Sequence, residues 1–339
     1  MAVRKEIVDR LAGIPNVSVS EGALLSRHTR FEIGGPTDVF VQAASEEAFA
    51  EALKVSRASG ASYSVIGDGT NLIVSDQGFD GIVLRLATRE IGRDGATVRA
   101  AAGAELQALV DYCIGHGLRG LETMTGIPGS VGAAIYGNAG AYGHSIDQRV
   151  ERVRFLDGNT VRSFSASECR FRYRESVFKE HKDWIILSVE LRMTLAFAAE
   201  LRQTADEIMQ LRLAKYPVTM KCAGSIFKNL ILAELPEHVR RQIPERVIRE
   251  GKAPSAYFLE QVGAKGMRNG GVRVADYHAN LIYNEGGGTA RELCALIDEL
   301  KARVRARFGL KLEEEVQYVG FPLPNRDREE TGSTTPLLQ

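Results

Sequence analysis

The chain has 339 residues, of which 44% are hydrophobic and 25% charged, a balance typical of a globular protein with two or three domains. Its 43 basic and 43 acidic residues give zero net charge, which argues against a broad nucleic-acid or membrane footprint. Its four cysteines form no C-x-x-C pair, so the sequence predicts free thiols and no metal site.

The first half of the chain mixes short strands with helices. A helical lead-in over residues 1–20 precedes "TDVFVQA" (37–43), whose β-branched and aromatic residues predict a strand. Ser45 predicts the N-cap of a helix that runs to about Ser59, with two glutamates in its first turn. Two apolar strands, "YSVIG" and "GIVLRL", then flank a glycine-rich loop over 67–81.

A second glycine-rich segment lies further along this half. A predicted helix near 105–116 leads into "GIPGSVGAAIYGNAGAYG" (126–143). After it, "VERVRFLDGNTVRSF" (150–164) predicts a hairpin that turns at Asp157-Gly158. "WIILSVELRM" (184–193) predicts one more strand before the composition changes.

The change of composition after about residue 196 predicts a domain boundary near 196–200. Residues 198–214 alternate apolar and charged positions at helical spacing. Further on, Thr289 and Glu292 predict the capping box of a helix with one apolar face, formed by Leu293, Leu296, Leu300, Val304 and Phe308. The polar stretch 323–339 predicts a disordered tail.

The two glycine-rich segments are candidate ligand sites. "GDGTN" (67–71) follows a strand, where successive backbone N–H groups can cradle a phosphate, although a plain tight turn explains it equally well. In 126–143, six glycines and four alanines in eighteen residues favour a backbone packed against a flat or extended ligand. Ser130 does not fit a hydrolase nucleophile, because Pro128 stands where G-x-S-x-G requires glycine.

Several charged residues could belong to a site, but each has a plainer explanation. Arg174 and Glu175 of "FRYRESVF" are typical of a solvated strand end. Arg212 and Lys215 end a helix, where the helix dipole favours cations in any case. The three acids of "LEEEV" are typical of a solvent-facing run, and His278 of "DYHAN" is typical of a structural histidine.

Taken in this order, the motifs "GDGTNLIVSD", "GIPGSVG…NAGAYG", "YRES", "AGSIFKN" and "LEEEV" resemble the family of UDP-N-acetylenolpyruvoylglucosamine reductases, from about Thr29 to about Gly320. The resemblance implies an α+β fold in two main parts. An FAD-binding domain of the vanillyl-alcohol-oxidase and p-cresol methylhydroxylase type, with two subdomains, is expected over 21–197. A C-terminal α+β substrate-binding domain is expected over 198–322.

The resemblance also implies a flavoenzyme of peptidoglycan precursor synthesis. Such an enzyme uses NADPH and non-covalent FAD to reduce UDP-N-acetylglucosamine enolpyruvate to UDP-N-acetylmuramate. Hydride addition at C3 of the enolpyruvyl group requires a polarised carboxylate, and C2 then requires a proton. By resemblance, Arg174 and Glu315 polarise the carboxylate and Ser225 gives the proton. A serine is a weak acid, so Lys228 and Arg174 are hypothetical sources of positive potential beside it.

The remaining site residues are likewise implied by the resemblance alone. The cofactor contacts are expected at Gly67, Asp68, Gly69, Thr70, Asn71, Leu72, Ile127, Gly132, Ala133 and Arg212. The contacts to the UDP-sugar are expected at Tyr142, Lys215, Lys228, Asn229 and Gln261. No metal is expected.

The sequence departs from the family pattern at several places. Glu314 replaces a usual proline, which leaves the register of the catalytic glutamate open. Ala133 and Gly137 replace a glycine and a methionine in the segment beside the flavin, and Leu230 replaces a proline after "FKN". The segment 230–255 is longer than the family's short forms, and its role is open.

Two other functions compete with this one. Another flavin oxidase or dehydrogenase of the same FAD-binding fold, acting on a small alcohol or hydroxy acid, would be favoured by a covalent flavin link, for which His144 is the candidate at the loop edge. A nucleotide-sugar sensor without turnover is disfavoured, because all three catalytic residue types are present. We expect a cytoplasmic protein, since the first residues lack a signal-peptide core. We also expect a monomer that binds neither nucleic acid nor membrane. The sequence does not decide between NADPH and NADH.

Overall fold

The computed structural model describes residues 3–321, so the predicted tail (323–339) lies outside the described residues. In chain order, the helices within this range are α1 Lys5–Ala12, α2 Glu46–Ala58, α3 Leu106–Gly115, α4 Val131–Tyr136, α5 Val177–Glu180, α6 Ala198–Lys215, α7 Glu237–Arg240, α8 Ser255–Gln261 and α9 Ala290–Phe308. The longer strands are β1 Val17–Glu21, β2 Thr37–Ala43, β3 Tyr63–Ile66, β4 Leu72–Val74, β5 Phe79–Leu86, β6 Ile91–Asp94, β7 Thr97–Ala101, β8 Val150–Asp157, β9 Thr160–Ser165, β10 Ile185–Arg192, β11 Val272–Ala275, β12 His278–Asn284 and β13 Gln317–Val319. Two-residue strands are Leu118–Arg119, Gly140–Ala141, His144–Ser145, Thr194–Leu195, Leu230–Ile231, Lys252–Ala253 and Arg268–Asn269.

The first sheet has the strand order β1-β2-β5-β3. β1 pairs with β2 in antiparallel fashion, whereas β5 runs parallel to both β2 and β3. The helix predicted after Ser45 is confirmed as α2, and the Ser45 hydroxyl accepts a hydrogen bond from the Ala48 N–H at 3.1 Å. The loop 67–71 leaves the end of β3 and leads directly into β4.

The second sheet is antiparallel and has the order β9-β8-β10-β7-β6. The predicted hairpin is confirmed as β8 and β9. Asp157 pairs with Thr160, so its turn lies at Gly158 and Asn159, one residue later than expected. Helices α3 and α4 carry the buried apolar residues that pack with this sheet in the first hydrophobic core.

The second half of the chain forms most of a second core, built from β11, β12, α8 and α9, which also includes Phe31, Ile33 and Ile73 of the first half. The predicted capping box is confirmed. The Thr289 hydroxyl accepts a hydrogen bond from the Glu292 N–H, and the Glu292 carboxylate accepts one from the Thr289 N–H. The helix α9 ends at Gly309, whose φ of +68° suits the left-handed conformation that favours glycine.

A parallel strand pair joins the two halves. β13 pairs with β4, with Leu72 opposite Gln317 and Val74 opposite Val319. Next to this pair, the Asp76 carboxylate accepts hydrogen bonds from the first two N–H groups of α9, at 2.7 and 2.9 Å. The strand that follows the loop 67–71 is therefore completed by residues from the other half of the chain.

Residues from both sides of the predicted domain limits pack in the first hydrophobic core. Ile7 and Leu11 of α1 pack in the first core, and so do Leu201 and Ala205 of α6. Both the lead-in (1–20) and the start of the second half thus contact the first core, and the limits remain a prediction. Among the described helices, none is long and apolar enough to cross a membrane.

Candidate active site

The segment of "AGSIFKN" that carries Ser225 is held by isolated β-bridges between β12 and the residues around Glu315. The Ile226 N–H donates to the Asn280 carbonyl at 3.1 Å, and the Glu315 N–H donates to the Ile226 carbonyl at 2.7 Å. The Asn280 side chain also bonds both the N–H and the carbonyl of Phe227, at 2.9 and 2.8 Å. Ser225 and Glu315 are therefore fixed by one hydrogen-bonded ladder.

Arg174 and Glu315 form an ion pair with Nε and Oε1 2.7 Å apart, and their side chains are 21% and 24% exposed. The Nε–H is not aligned with the carboxylate, so the contact is electrostatic. The guanidinium donates instead to the Gly140 carbonyl at 2.9 Å, and Lys179 donates to the Arg174 carbonyl at 2.6 Å. Arg174 has a φ of +59°, a left-handed conformation that is uncommon for a residue other than glycine.

Each of the three consecutive glutamates (Glu313–Glu315) contacts a different cation. The first contacts the ammonium of Lys228, and Glu314 contacts Lys301 of α9 with 2.8 Å between Oε1 and Nζ. The third is the member that contacts Arg174. Glu315 is therefore the glutamate that contacts Arg174, although Glu314 replaces the usual proline beside it. The catalytic role of Glu315 remains a prediction.

Lys228 lies between two carboxylates and is only 10% exposed. Its ammonium contacts both Glu175 and Glu313. Burial alone would lower the pKa of Lys228, but the hydrogen bonds to Glu175 and Glu313 outweigh it and raise the pKa. Because its charge is compensated twice, the contacts do not support Lys228 as a source of positive potential for Ser225. Sequence reasoning considered Glu175 only as a solvated residue and missed this pairing.

Ser225 has a hydroxyl neighbour that the sequence did not indicate. Its Oγ lies 3.5 Å from the hydroxyl of Tyr216, and the ammonium of Lys215 lies 5.0 Å from the centre of the Tyr216 ring. His278 also belongs here: burial, assisted by the charge of Lys215, lowers the pKa of His278 to about 4. Its buried Nδ1 has no hydrogen-bond partner in the described part of the chain.

The other predicted substrate contacts are more scattered. Tyr142 is 48% exposed and has a φ of +52°, and the Asn229 N–H donates to the Tyr173 hydroxyl at 3.2 Å. Gln261 ends α8, where its carbonyl accepts a hydrogen bond from Arg307. Within residues 3–321, no hydrogen bond or ion pair joins Gln261 to the three predicted catalytic residues.

The long segment 230–255 contributes to the site through its end. It begins and ends with paired two-residue strands, includes the short helix α7, and buries Leu235 and Val239 in the second core. Near its end, the ammonium of Lys252 lies 5.0 Å from the centre of the Tyr173 ring. The segment therefore returns to the "YRES" motif.

The two glycine-rich segments contact each other, and the first requires glycine at two positions. The Thr70 hydroxyl donates to the Pro128 carbonyl at 3.3 Å. A Cβ on Gly67 would lie 2.7 Å from the Ser130 hydroxyl oxygen, and one on Gly69 would lie 1.8 Å from the His28 carbonyl oxygen. Side chains are thus excluded from these positions, as a backbone cradle for phosphate requires.

The second segment continues this surface into α4 and towards Arg212. Ser130 caps α4, its hydroxyl accepting from the Ala133 N–H at 3.3 Å, while Gly132 packs so closely on Ala102 that a Cβ would lie 2.9 Å from the alanine Cβ. Beside Gly126 lies Arg212, and burial lowers its pKa. Its buried Nε has no partner among the described residues.

These features fit FAD. Close packing excludes a Cβ at Gly67 and Gly69 of the loop 67–71, as expected if backbone N–H groups held a pyrophosphate, and also at Gly132 of the second segment. The unpartnered N–H of Arg212 offers a hydrogen bond to a polar ring edge. Within the cradle, Asp68 is the acidic residue, and burial raises its pKa.

Comparison with known proteins supports this assignment across the chain. A family model described as an FAD binding domain matches residues 37–162, and one described as the C-terminal domain of UDP-N-acetylenolpyruvoylglucosamine reductase matches residues 216–319. The reductase from Solibacter usitatus is 60% identical over 92% of this chain and 100% of its own length. The reductase from Carboxydothermus hydrogenoformans is 33% identical over 94% of this chain and 98% of its own.

A solved structure agrees with these relatives. The crystal structure of the reductase from Thermus caldophilus matches with a TM-score of 0.70 and 26% identity, covering 89% of this chain and 98% of that chain. The fold class and the family predicted from the motif order are both confirmed. The chain belongs to the family of UDP-N-acetylenolpyruvoylglucosamine reductases.

Proposed function

We propose that this protein reduces UDP-N-acetylglucosamine enolpyruvate to UDP-N-acetylmuramate with NADPH, through FAD bound in the glycine-rich cradle. Family membership supports this reaction. The structural observation that carries it is the Arg174–Glu315 pair, which shares a hydrogen-bonded ladder with Ser225. An oxidase acting on a small alcohol is not favoured, because the match extends through the C-terminal domain at 216–319.

The residues of the cradle would hold the cofactor. FAD, when bound, supplies the group that takes hydride from NADPH and gives it to the substrate. The backbone N–H groups of Gly67 to Thr70 would hold the pyrophosphate, and Ile127, Gly132 and Ala133 would line the ring, with Arg212 donating to its polar edge. His144, the candidate for a covalent link, is exposed and bonds Gln148 at 3.1 Å, which supports non-covalent binding.

Arg174 and Glu315 would act on the carboxylate of the enolpyruvyl group. Hydride addition to C3 builds negative charge that the carboxylate must take up, and a fixed guanidinium stabilises that charge without reorganising. Arg174 is held by Gly140 and Lys179 as well as by Glu315, so it is preorganised for this task. Glu315 would orient the guanidinium that pairs with the substrate carboxylate.

Ser225 would deliver the proton to C2. Its Oγ is placed at the end of the ladder, and the Tyr216 hydroxyl at 3.5 Å is positioned to return a proton to it. We assign Lys215, whose ammonium lies 5.0 Å from the centre of the Tyr216 ring, as the cation that supports proton donation, rather than the doubly paired Lys228.

The UDP moiety would meet the residues around this centre. Lys215 would supply positive charge for the diphosphate, while the assignments of Tyr142, Lys228 and Asn229 rest on the resemblance. The assignment of Gln261 rests on the resemblance alone, since its observed contact is with Arg307 of α9.

We further infer a monomer that works in the cytoplasm, with domain limits at 21–197 and 198–322. All proposed catalytic groups come from one chain, so a second copy is not required. Cys113, Cys169 and Cys222 are buried free thiols, as a reducing compartment permits. Light scattering at working concentration tests the monomer, and a dimer mass would overturn it.

One experiment tests the reaction. The yellow holoprotein is reduced anaerobically with NADPH, and the enolpyruvyl substrate is then added. We expect the oxidised flavin spectrum to return together with UDP-N-acetylmuramate. A spectrum that stays reduced would overturn the proposed function, and flavin that remains attached after acid denaturation would overturn non-covalent binding.

A further inference from the structure

We propose that Asn71 is a positioning residue, which sets the place of Glu315 through its backbone and so ties the cofactor loop to the catalytic carboxylate. The sequence predicts Asn71 only as a cofactor contact. The inference rests on the proposed function, because it concerns the step in which Glu315 acts.

The side chain of Asn71 is committed to the other half of the chain. One N–H of its Nδ2 donates to the Glu315 carbonyl at 3.0 Å, and the backbone carbonyl of Asn71 accepts from the Gln317 N–H at 2.9 Å. The side-chain amide is thereby turned towards Glu315. The adjoining strand pair, with Leu72 opposite Gln317, continues the same connection.

Both backbone polar groups of Glu315 are thereby fixed from opposite sides. Its N–H donates to Ile226, next to Ser225, and its carbonyl accepts from Asn71, at the end of the cradle loop. Glu315 thus bridges the proton donor's strand and the cofactor's loop. Since the side chain of Glu315 meets Arg174 at 2.7 Å, a small backbone shift would misplace that contact.

A second contact joins the same two halves of the chain and does not involve Glu315. Asp76 accepts hydrogen bonds from Ala290 and Arg291 at the start of α9, at the far end of β4. Replacing Asp76 should loosen the attachment of the halves, whereas replacing Asn71 should displace Glu315. The two residues therefore form a matched pair for an experiment.

The test compares Asn71→Ala, Asn71→Gln and Asp76→Ala with the wild-type holoprotein. For each we measure the ratio of flavin to protein absorbance, the Tm, the affinity of oxidised enzyme for the enolpyruvyl substrate from its flavin spectral shift, and both half-reactions by anaerobic stopped flow. We expect Asn71→Ala to keep its flavin, its substrate affinity and its reduction by NADPH. Its reoxidation by substrate should slow roughly 10- to 100-fold, as a misplaced catalytic group does.

The controls separate positioning from stability. Asn71→Gln keeps an amide donor and should recover part of the lost rate, and Asp76→Ala should lower the Tm while reoxidation stays at the wild-type rate. Normal reoxidation in Asn71→Ala, equal slowing in Asp76→Ala, or loss of flavin from Asn71→Ala would each overturn the proposal. A wild-type protein that the substrate fails to reoxidise would instead refute the proposed function.

Discussion

Arg174 and Glu315 belong to different halves of the chain and meet with Nε and Oε1 2.7 Å apart. Neither half therefore contains the proposed carboxylate site alone. The first half supplies the cation together with the cofactor cradle, and the second supplies the glutamate and Ser225. Substrate reduction thus depends on how the halves are held together as well as on the residues themselves.

Ser225→Ala should separate the two half-reactions. Reduction by NADPH needs no proton from Ser225 and should be unchanged, whereas reoxidation by substrate should fall about 10²- to 10⁴-fold, the usual contribution of a positioned acid. Stopped-flow absorbance of the flavin measures both rates. Cys222→Ala is the control, because Cys222 is buried three residues away and has no proposed role. Normal reoxidation in Ser225→Ala would remove the serine from the mechanism.

Glu315→Gln and Glu314→Gln should differ although they are neighbours. The first removes the charge beside Arg174, and we expect reoxidation to fall about 100-fold or more. The second weakens the ion pair with Lys301, which should cost about 1 kcal/mol in the free energy of unfolding. Stopped flow and urea denaturation measure the two effects. Equal losses of reoxidation rate in the two variants would contradict the assignment of Glu315, rather than Glu314, as the catalytic glutamate.

Gly69→Ala should abolish flavin binding. A Cβ would lie 1.8 Å from the His28 carbonyl oxygen at a φ of +65°, so the cradle loop must move. Gly95→Ala is the matched control, with a φ of +56° but no heavy atom within 4 Å of the added Cβ. It should keep its flavin and lose about 1 kcal/mol of stability from the left-handed conformation alone. The flavin absorbance of the purified proteins measures how much cofactor each one binds, and a yellow Gly69→Ala protein would contradict the expectation.

His278 should make the fold sensitive to acid. Its pKa is about 4 in the folded protein and about 6.5 in the unfolded chain, so between these values the unfolded chain binds more protons. This part of the stability is complete above pH 6.5 and is lost as the pH falls towards 4. We expect a loss of about 1–2 kcal/mol, after allowance for partial exposure of the ring.

Urea denaturation between pH 7.5 and 4 measures this effect. His278→Asn should flatten the decline in the free energy of unfolding, whereas His238→Gln, at an exposed histidine of α7, should leave the decline unchanged. The same steepness in wild type and His278→Asn would assign the acid sensitivity to other groups.

Local signals in the sequence predicted local structure well. The capping box at Thr289 and the N-cap at Ser45 lie where expected, because each is a contact between residues three apart. The hairpin turn lies one residue later than the sequence predicts, because the strand pairing extends to Asp157 opposite Thr160. Such boundaries depend on the partner strand, which the sequence does not specify.

The contacts within the site could not be predicted in the same way. The motifs identify the family and place Arg174 and Glu315 among its residues, but they do not indicate which cation meets which glutamate. The pairing of Lys228 with Glu175 and the bond from Asn71 to Glu315 join distant parts of the chain. They depend on how the two cores dock, which no short pattern encodes.

The pairing of β13 with β4 also sets an order of events during synthesis. Residues 72–74 leave the ribosome early, yet their partner strand at 317–319 is among the last described parts of the chain to appear. Contacts so distant in sequence form slowly, because a long loop must first close. We therefore expect the strand beside the cofactor loop to stay unpaired in the nascent first half, and stable flavin loading to follow the synthesis of residues 317–319.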